Sequence, residues 1–137
     1  MQRFKIDKTF LSLVSVPVPF WLILCWYQPV DISIEPLVFI KMVLLYPILE
    51  ETLFRGMVQP ALARRLSGQF LNLSLANIVA SGIFALTHLV NHDPVWAMVT
   101  FFPSLVFGFS QDRYKALQAP ITLHCYYNAG YFLAAGI

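Results

Sequence analysis

Glu50, Glu51 and Arg55 stand within LLYPILEETLFRG, an apolar run from Leu44 to Gly56. Carboxylates in such a setting do one of two kinds of work: they form a buried ion pair that orders packing, or they act as a general base that takes a proton from water. On a helix successive residues are about 100° apart, so Glu51 and Arg55, at i and i+4, lie about 40° from each other. Glu50 and Arg55 are separated by about 140° on the same geometry. The arginine therefore suits Glu51. Glu50 is left without a local counter-ion, able to exchange protons with water. By itself the pair is equally compatible with a buried ion network that only fixes helix packing.

Two further clusters add chemistry. FALTH places Phe84 and His88 at i and i+4, and His92 continues the stripe one turn later. HCYYN places His124 and Asn128 on one helix face, both able to donate hydrogen bonds. Polar side chains inside apolar helices usually face a bundle interior and often mark function. A carboxylate base, two imidazoles and an amide donor, spread over three helices, supply what hydrolysis of a peptide bond requires: an activated water and donors for an oxyanion.

These motifs resemble those of the CPBP group of glutamic-type intramembrane proteases, which includes CAAX prenyl endopeptidases, bacteriocin-processing (Abi-type) proteins and prokaryotic sorting-signal peptidases. EETLFRG at Glu50–Gly56 matches EExxxR, FALTH at Phe84–His88 matches FxxxH, and HCYYN at His124–Asn128 matches HxxxN, in family order over roughly the last hundred residues. The resemblance implies that Glu50 and His88 activate a water, that His124 and Asn128 stabilise the oxyanion, and that Glu51, Arg55 and Phe84 support the site. It also implies an all-helical membrane bundle, no metal or other cofactor, and a membrane-embedded or lipidated protein cut near its C-terminus. The chain is short for the group, with one span ahead of the motif-bearing region. A homo-oligomer would supply the missing lipid shielding. His92 and Asp93 are not explained by the motifs and read as the cap of a wet turn.

The elements that must position these residues follow from composition. Of 137 residues, 58% are hydrophobic and 12% charged, which excludes an ordinary soluble domain. Net charge is only +2 and the basic residues are scattered in short clusters, so no nucleic-acid partner is expected. Cys25 and Cys125 lie in apolar runs and read as buried thiols that act as small hydrophobes.

A hydrocarbon core about 30 Å thick needs about 20 helical residues. Five segments qualify: about Phe10–Tyr27, Pro36–Met57, Leu73–Val90, Val95–Phe109 and Ala116–Ala135. The chain is read as one domain, residues 1–137, with a catalytic core over 37–137. Trp26 and Tyr27 read as an interfacial belt that retains the first span. Arg3, Lys5 and Lys8, then Arg64 and Arg65, then Arg113 and Lys115 fall on alternate connections. Asp31, Glu35 and Asp93 occupy the others. Lys41 snorkels near the outer end of the second span. The reading is an all-α polytopic bundle with its N-terminus inside and C-terminus outside, in a prokaryotic plasma membrane.

Mid-bilayer charge costs roughly 2.5–3.5 kcal/mol per residue against roughly 0.3–0.6 returned by each large aliphatic residue. Glu50, Glu51 and Arg55 must therefore be paired or face a wet cavity. Depth counting gives one conflict. At 1.5 Å per residue Glu50 lies about 20 Å below Leu37 and His124 about 12 Å above Ala116, which agree, but His88 lies about 22 Å above Leu73, nearer the outer face.

Two other functions are compatible with parts of the pattern. His88 and His92 at i and i+4 have zinc-ligand spacing, although HExxH is absent. A non-catalytic membrane interaction or immunity protein would keep the network for packing alone.

Overall fold

The computed structural model describes residues 4–27 and 35–135. The expectations placed on Arg3 and Asp31 lie outside these residues. The protein is mostly helical. Among the described residues the helices group into five bodies, close to the five segments expected.

The first comprises α1 (Lys8–Ser15) and α2 (Val18–Tyr27), separated by a turn at Val16 and Pro17. Asp7 caps α1 by accepting a hydrogen bond from the Phe10 amide at 2.8 Å. Among the described residues Lys8–Tyr27 is a helix long and apolar enough to cross a membrane, and little of it is buried. Cys25 lies exposed on its surface and Cys125 is half-buried, so neither thiol is the buried core group expected. The cause is that α2 makes its main packing on one neighbour, α9, so most of its surface faces outward.

The second body, residues 36–63, is one helix that alternates between α and π winding. α3 (Pro36–Ile40), α4 (Tyr46–Leu53) and α5 (Gln59–Ala63) are joined by π-helical segments Lys41–Leu45 and Phe54–Val58. Each π segment ends two residues before a proline, Pro47 or Pro60. A proline ring clashes with the carbonyl four residues back and has no N–H, and an extra residue in the turn relieves the clash. Accordingly the Tyr46 N–H bonds Lys41 O and the Gln59 N–H bonds Phe54 O, five residues back.

A hairpin follows, β1 (Gln69–Phe70) against β2 (Leu73–Ser74), turning through Leu71 and Asn72 in left-handed conformation. It replaces the beginning of the third expected span. α6 (Leu75–His88) starts only after Ser74, which caps it by accepting from the Asn77 amide at 3.0 Å. Asp93 caps α7 (Pro94–Val99) through the Val95 and Trp96 amides, as its place in a polar turn suggested. α8 (Phe101–Tyr114) and α9 (Gln118–Ala135) complete the bundle.

α8 lies at the centre, packed on both α6 and α9. Phe10, Phe107, Ala119, Leu123 and Tyr127 form the apolar core where α1, α8 and α9 meet. A second, polar seam joins helix 36–63 and α6 to α8. Arg55 donates to Ser104 O at 2.7 Å and Ser104 Oγ at 2.6 Å, Gln59 to Gly108 O at 3.0 Å, and Asn77 to Leu105 O at 2.9 Å. Gly108 is required here, because a Cβ would stand 1.8 Å from Asn77 Oδ1.

Candidate active site

The ion pair expected from helical spacing forms. Arg55 Nε and Glu51 Oε2 stand 3.1 Å apart, both side chains fully buried. Their alignment serves charge pairing more than a hydrogen bond, and the strong hydrogen bonds of the guanidinium go to Ser104. A buried guanidinium left without a carboxylate would be costly, which explains why Glu51 is sealed with it. Glu50, on the adjoining helix face, keeps 35% of its side chain exposed.

α9 brings His124 against both carboxylates. Its Nδ1 lies 2.9 Å from Glu51 Oε1 and its Nε2 lies 3.7 Å from Glu50 Oε2. Phe107 stacks on the imidazole with a centroid distance of 4.6 Å, fixing the ring plane. With Nδ1 on a carboxylate that also serves Arg55, the hydrogen resides on Nδ1 and Nε2 is the nitrogen turned to Glu50.

His88 ends α6. Its Nδ1 bonds the Phe84 carbonyl at 2.9 Å, so Nδ1 is the donor and Nε2 is left as an acceptor. Phe84 is buried between Phe54 at 5.1 Å, His88 at 4.6 Å and His124 at 6.0 Å, with the Arg55 guanidinium 5.9 Å from its ring centre. It is the hub that holds α4, α6 and α9 in register. Helix 36–63 and α6 are joined by the hairpin and run antiparallel, with Phe54 facing Phe84. Moving four residues from each toward the far end arrives at Glu50 and His88, at the same level.

The difference in level counted from the sequence disappears: Leu73 belongs to the hairpin, and measured from the hairpin-side ends of the two helices, Ala63 and Leu75, Glu50 and His88 are each about 20 Å along. Leu117 packs at Gly56, so α9 enters higher in the bundle and six residues suffice to bring His124 level with them.

Asn128 sits on the His124 face of α9 as expected, but its Nδ2 donates to the Met42 carbonyl at 2.8 Å. His92 stacks on His88 with ring centres 5.9 Å apart and planes 20° apart. Lone pairs in nearly parallel ring planes run side by side and do not converge on one ion. Tilted ring contacts continue from His92 to Trp96 at 6.4 Å and from Trp96 to Tyr131 at 5.0 Å. Among the described residues no group of three potential metal ligands gathers.

The sequence reading missed Ser104, Gln59, Asn77, Phe107 and the Met42 carbonyl. Only Ser104 and Gly108 left a signal: small residues at i and i+4 in FFPSLVFGFS mark where another helix approaches closely.

Comparison with curated proteins and with solved structures returned no match. A family model described as type II CAAX prenyl endopeptidase, Rce1-like, matches residues 32–130 and so takes in all three motifs. With that match covering well over half of its length, and the motif residues meeting around Phe84, the chain belongs to the Rce1-like family of type II CAAX prenyl endopeptidases.

Proposed function

We propose that the protein is a glutamic-type intramembrane endopeptidase that cuts a peptide bond near the C-terminus of a membrane-associated, lipidated substrate. The observation that carries this reading is the contrast between adjacent carboxylates: Glu51 is sealed with Arg55, while Glu50 stays open and faces the His124 imidazole of α9. The family description favours a prenylated tail as the lipidated class. The chain acts as a single membrane domain, its core preceded by the Lys8–Tyr27 span, with the helices crossing the bilayer as a polytopic bundle.

In the first step a water is held by two acceptors, the Glu50 carboxylate and His88 Nε2. Glu50 takes its proton as the oxygen attacks the scissile carbonyl carbon. The carbonyl electrons move onto its oxygen, where His124 Nε2–H and an Asn128 N–H donate. That role requires hydrogen on both nitrogens of His124, with Nδ1 tied to Glu51. When the tetrahedral intermediate collapses, the C–N bond breaks and Glu50 returns its proton to the leaving amine. Glu51, Arg55 and Phe84 keep His124 in place.

Glu50→Gln keeps the shape and removes the base. Purified in detergent and offered a fluorogenic farnesylated peptide ending in a CAAX sequence, it should retain its helical circular dichroism and lose turnover by at least about a hundredfold. Turnover close to that of the parent protein would rule out the mechanism.

A further inference from the structure

Asn128 has a task in the ground state that its place in the HxxxN motif does not disclose. The Met42 carbonyl lies in the first π segment, two helical turns before Glu50. An α-helix would give it the Tyr46 N–H, but that N–H goes to Lys41 O. A π turn would give it the N–H of residue 47, but residue 47 is proline and has none. The side chain of Asn128 fills the vacated position at 2.8 Å. An amide has two N–H groups, so one can hold Met42 while the other faces a substrate.

We infer that Asn128 is a positioning residue: by replacing the backbone donor that Pro47 removes, it locks the first π turn to α9 and so sets the rotation of α4 that turns Glu50 toward His124. α9 thereby grips the long helix at two points, Asn128 on Met42 and His124 on Glu51, on either side of Pro47. Rotational error in α4 would displace Glu50 directly, since Glu50 stands on the helix face adjoining the buried Glu51–Arg55 pair. The inference rests on the proteolytic reading for its consequence, though the bond itself does not.

The test is a double-mutant cycle between Asn128→Ala and Pro47→Ala. Pro47→Ala restores a backbone N–H beside Met42, and so offers the carbonyl another donor. The first readout is the carbonyl ¹³C resonance of Met42, in protein labelled at its methionine carbonyls and assigned with Met42→Leu. It should shift on Asn128→Ala and return toward its original position in the double variant. The second readout is kcat on the farnesylated peptide. Adding Pro47→Ala to Asn128→Ala should recover kcat by about tenfold, with KM little changed, as expected when a buried acceptor regains its partner. A donor acting on the oxyanion alone predicts losses that multiply without recovery. A Met42 resonance that ignores Asn128→Ala, or multiplying losses, would overturn the inference. Absence of cleavage by the parent protein would instead count against the proteolytic reading, and the Met42 resonance would still decide the bond.

Discussion

Two neighbouring carboxylates serve opposite ends, and substitution should separate them. Glu51→Gln leaves Arg55 buried beside a neutral amide, and uncompensated buried charge of this kind costs about 3–5 kcal/mol. The expected result is a strongly lowered melting temperature in detergent, in contrast to Glu50→Gln, whose side chain reaches solvent and whose loss should leave the melt almost unchanged. Equal melts for the two variants would contradict the division of labour. Much of this was legible in the sequence. Helical spacing alone assigned Arg55 to Glu51 and left Glu50 open. The remainder was not, because the partners of Arg55 come from Ser104, forty-nine positions away, and depend on how closely two helices approach. The Met42 carbonyl was hidden for a different reason: a missing backbone donor shows only once the winding of the turn is known.

At the scale of elements, three helical glycines make graded predictions. A Cβ at Gly108 would fall 1.8 Å from Asn77 Oδ1 and 2.9 Å from Gln59 Oε1, so Gly108→Ala must part α6 and α5 from α8. Arg55 would then lose Ser104, and both activity and melting temperature should fall. A Cβ at Gly130 would fall 2.1 Å from the Trp21 indole, a side chain that can turn aside, so Gly130→Ala should loosen α2 from α9 with a smaller loss. Gly82 has nothing within 4 Å, and Gly82→Ala should be neutral or raise stability by up to about 1 kcal/mol, the usual helix preference. Thermal melts of the three in one detergent would check the order. The N-terminal helix has a second attachment. Tyr114, Arg113 and the Phe10 amide all donate to Asp7, holding its carboxyl well below the usual carboxylate range. A depressed value contributes stability that is complete above the unfolded value of about 3.9 and is lost as pH falls through the folded one. The melting difference between the parent protein and Asp7→Asn should therefore hold constant down to about pH 4 and shrink only below it. Because the site is exposed, the difference should also be small. Element boundaries were the least legible feature: Leu73 read as helix because its neighbours are apolar, whereas Gly68 and the left-handed Leu71 and Asn72 make a hairpin there.

For the whole molecule, the arrangement of charge predicts an orientation. Arg64 and Arg65 follow α5, Lys115 ends α8, and Ser74 at the base of the hairpin bonds Asp112 at 2.6 Å, which gathers these basic residues at one end of the bundle. Lys8 and Asp7 join the same end through the Asp7–Arg113 pair. The hairpin there displays Phe70 and Leu71, two exposed apolar side chains beside cations, a pairing suited to an interface with anionic headgroups. At the opposite end lie Asn91, His92 and Asp93, without Lys or Arg in that turn. If retained cations set orientation, the basic end faces the cytoplasm and the Asn91 turn faces outward. Glu50 and His88, about 20 Å from the basic end, then sit near the middle of the bilayer, where a lipid-anchored tail would present its scissile bond only after entering the bundle. Single cysteines decide the matter. In a Cys25→Ser, Cys125→Ser background, Asn91→Cys should react with a membrane-impermeant maleimide on intact cells, and Lys115→Cys should react only after the cells are opened. The reverse pattern would invert the bundle and require the substrate tail to approach from outside, and labelling of both positions in intact cells would mean that the helices between them do not separate two compartments.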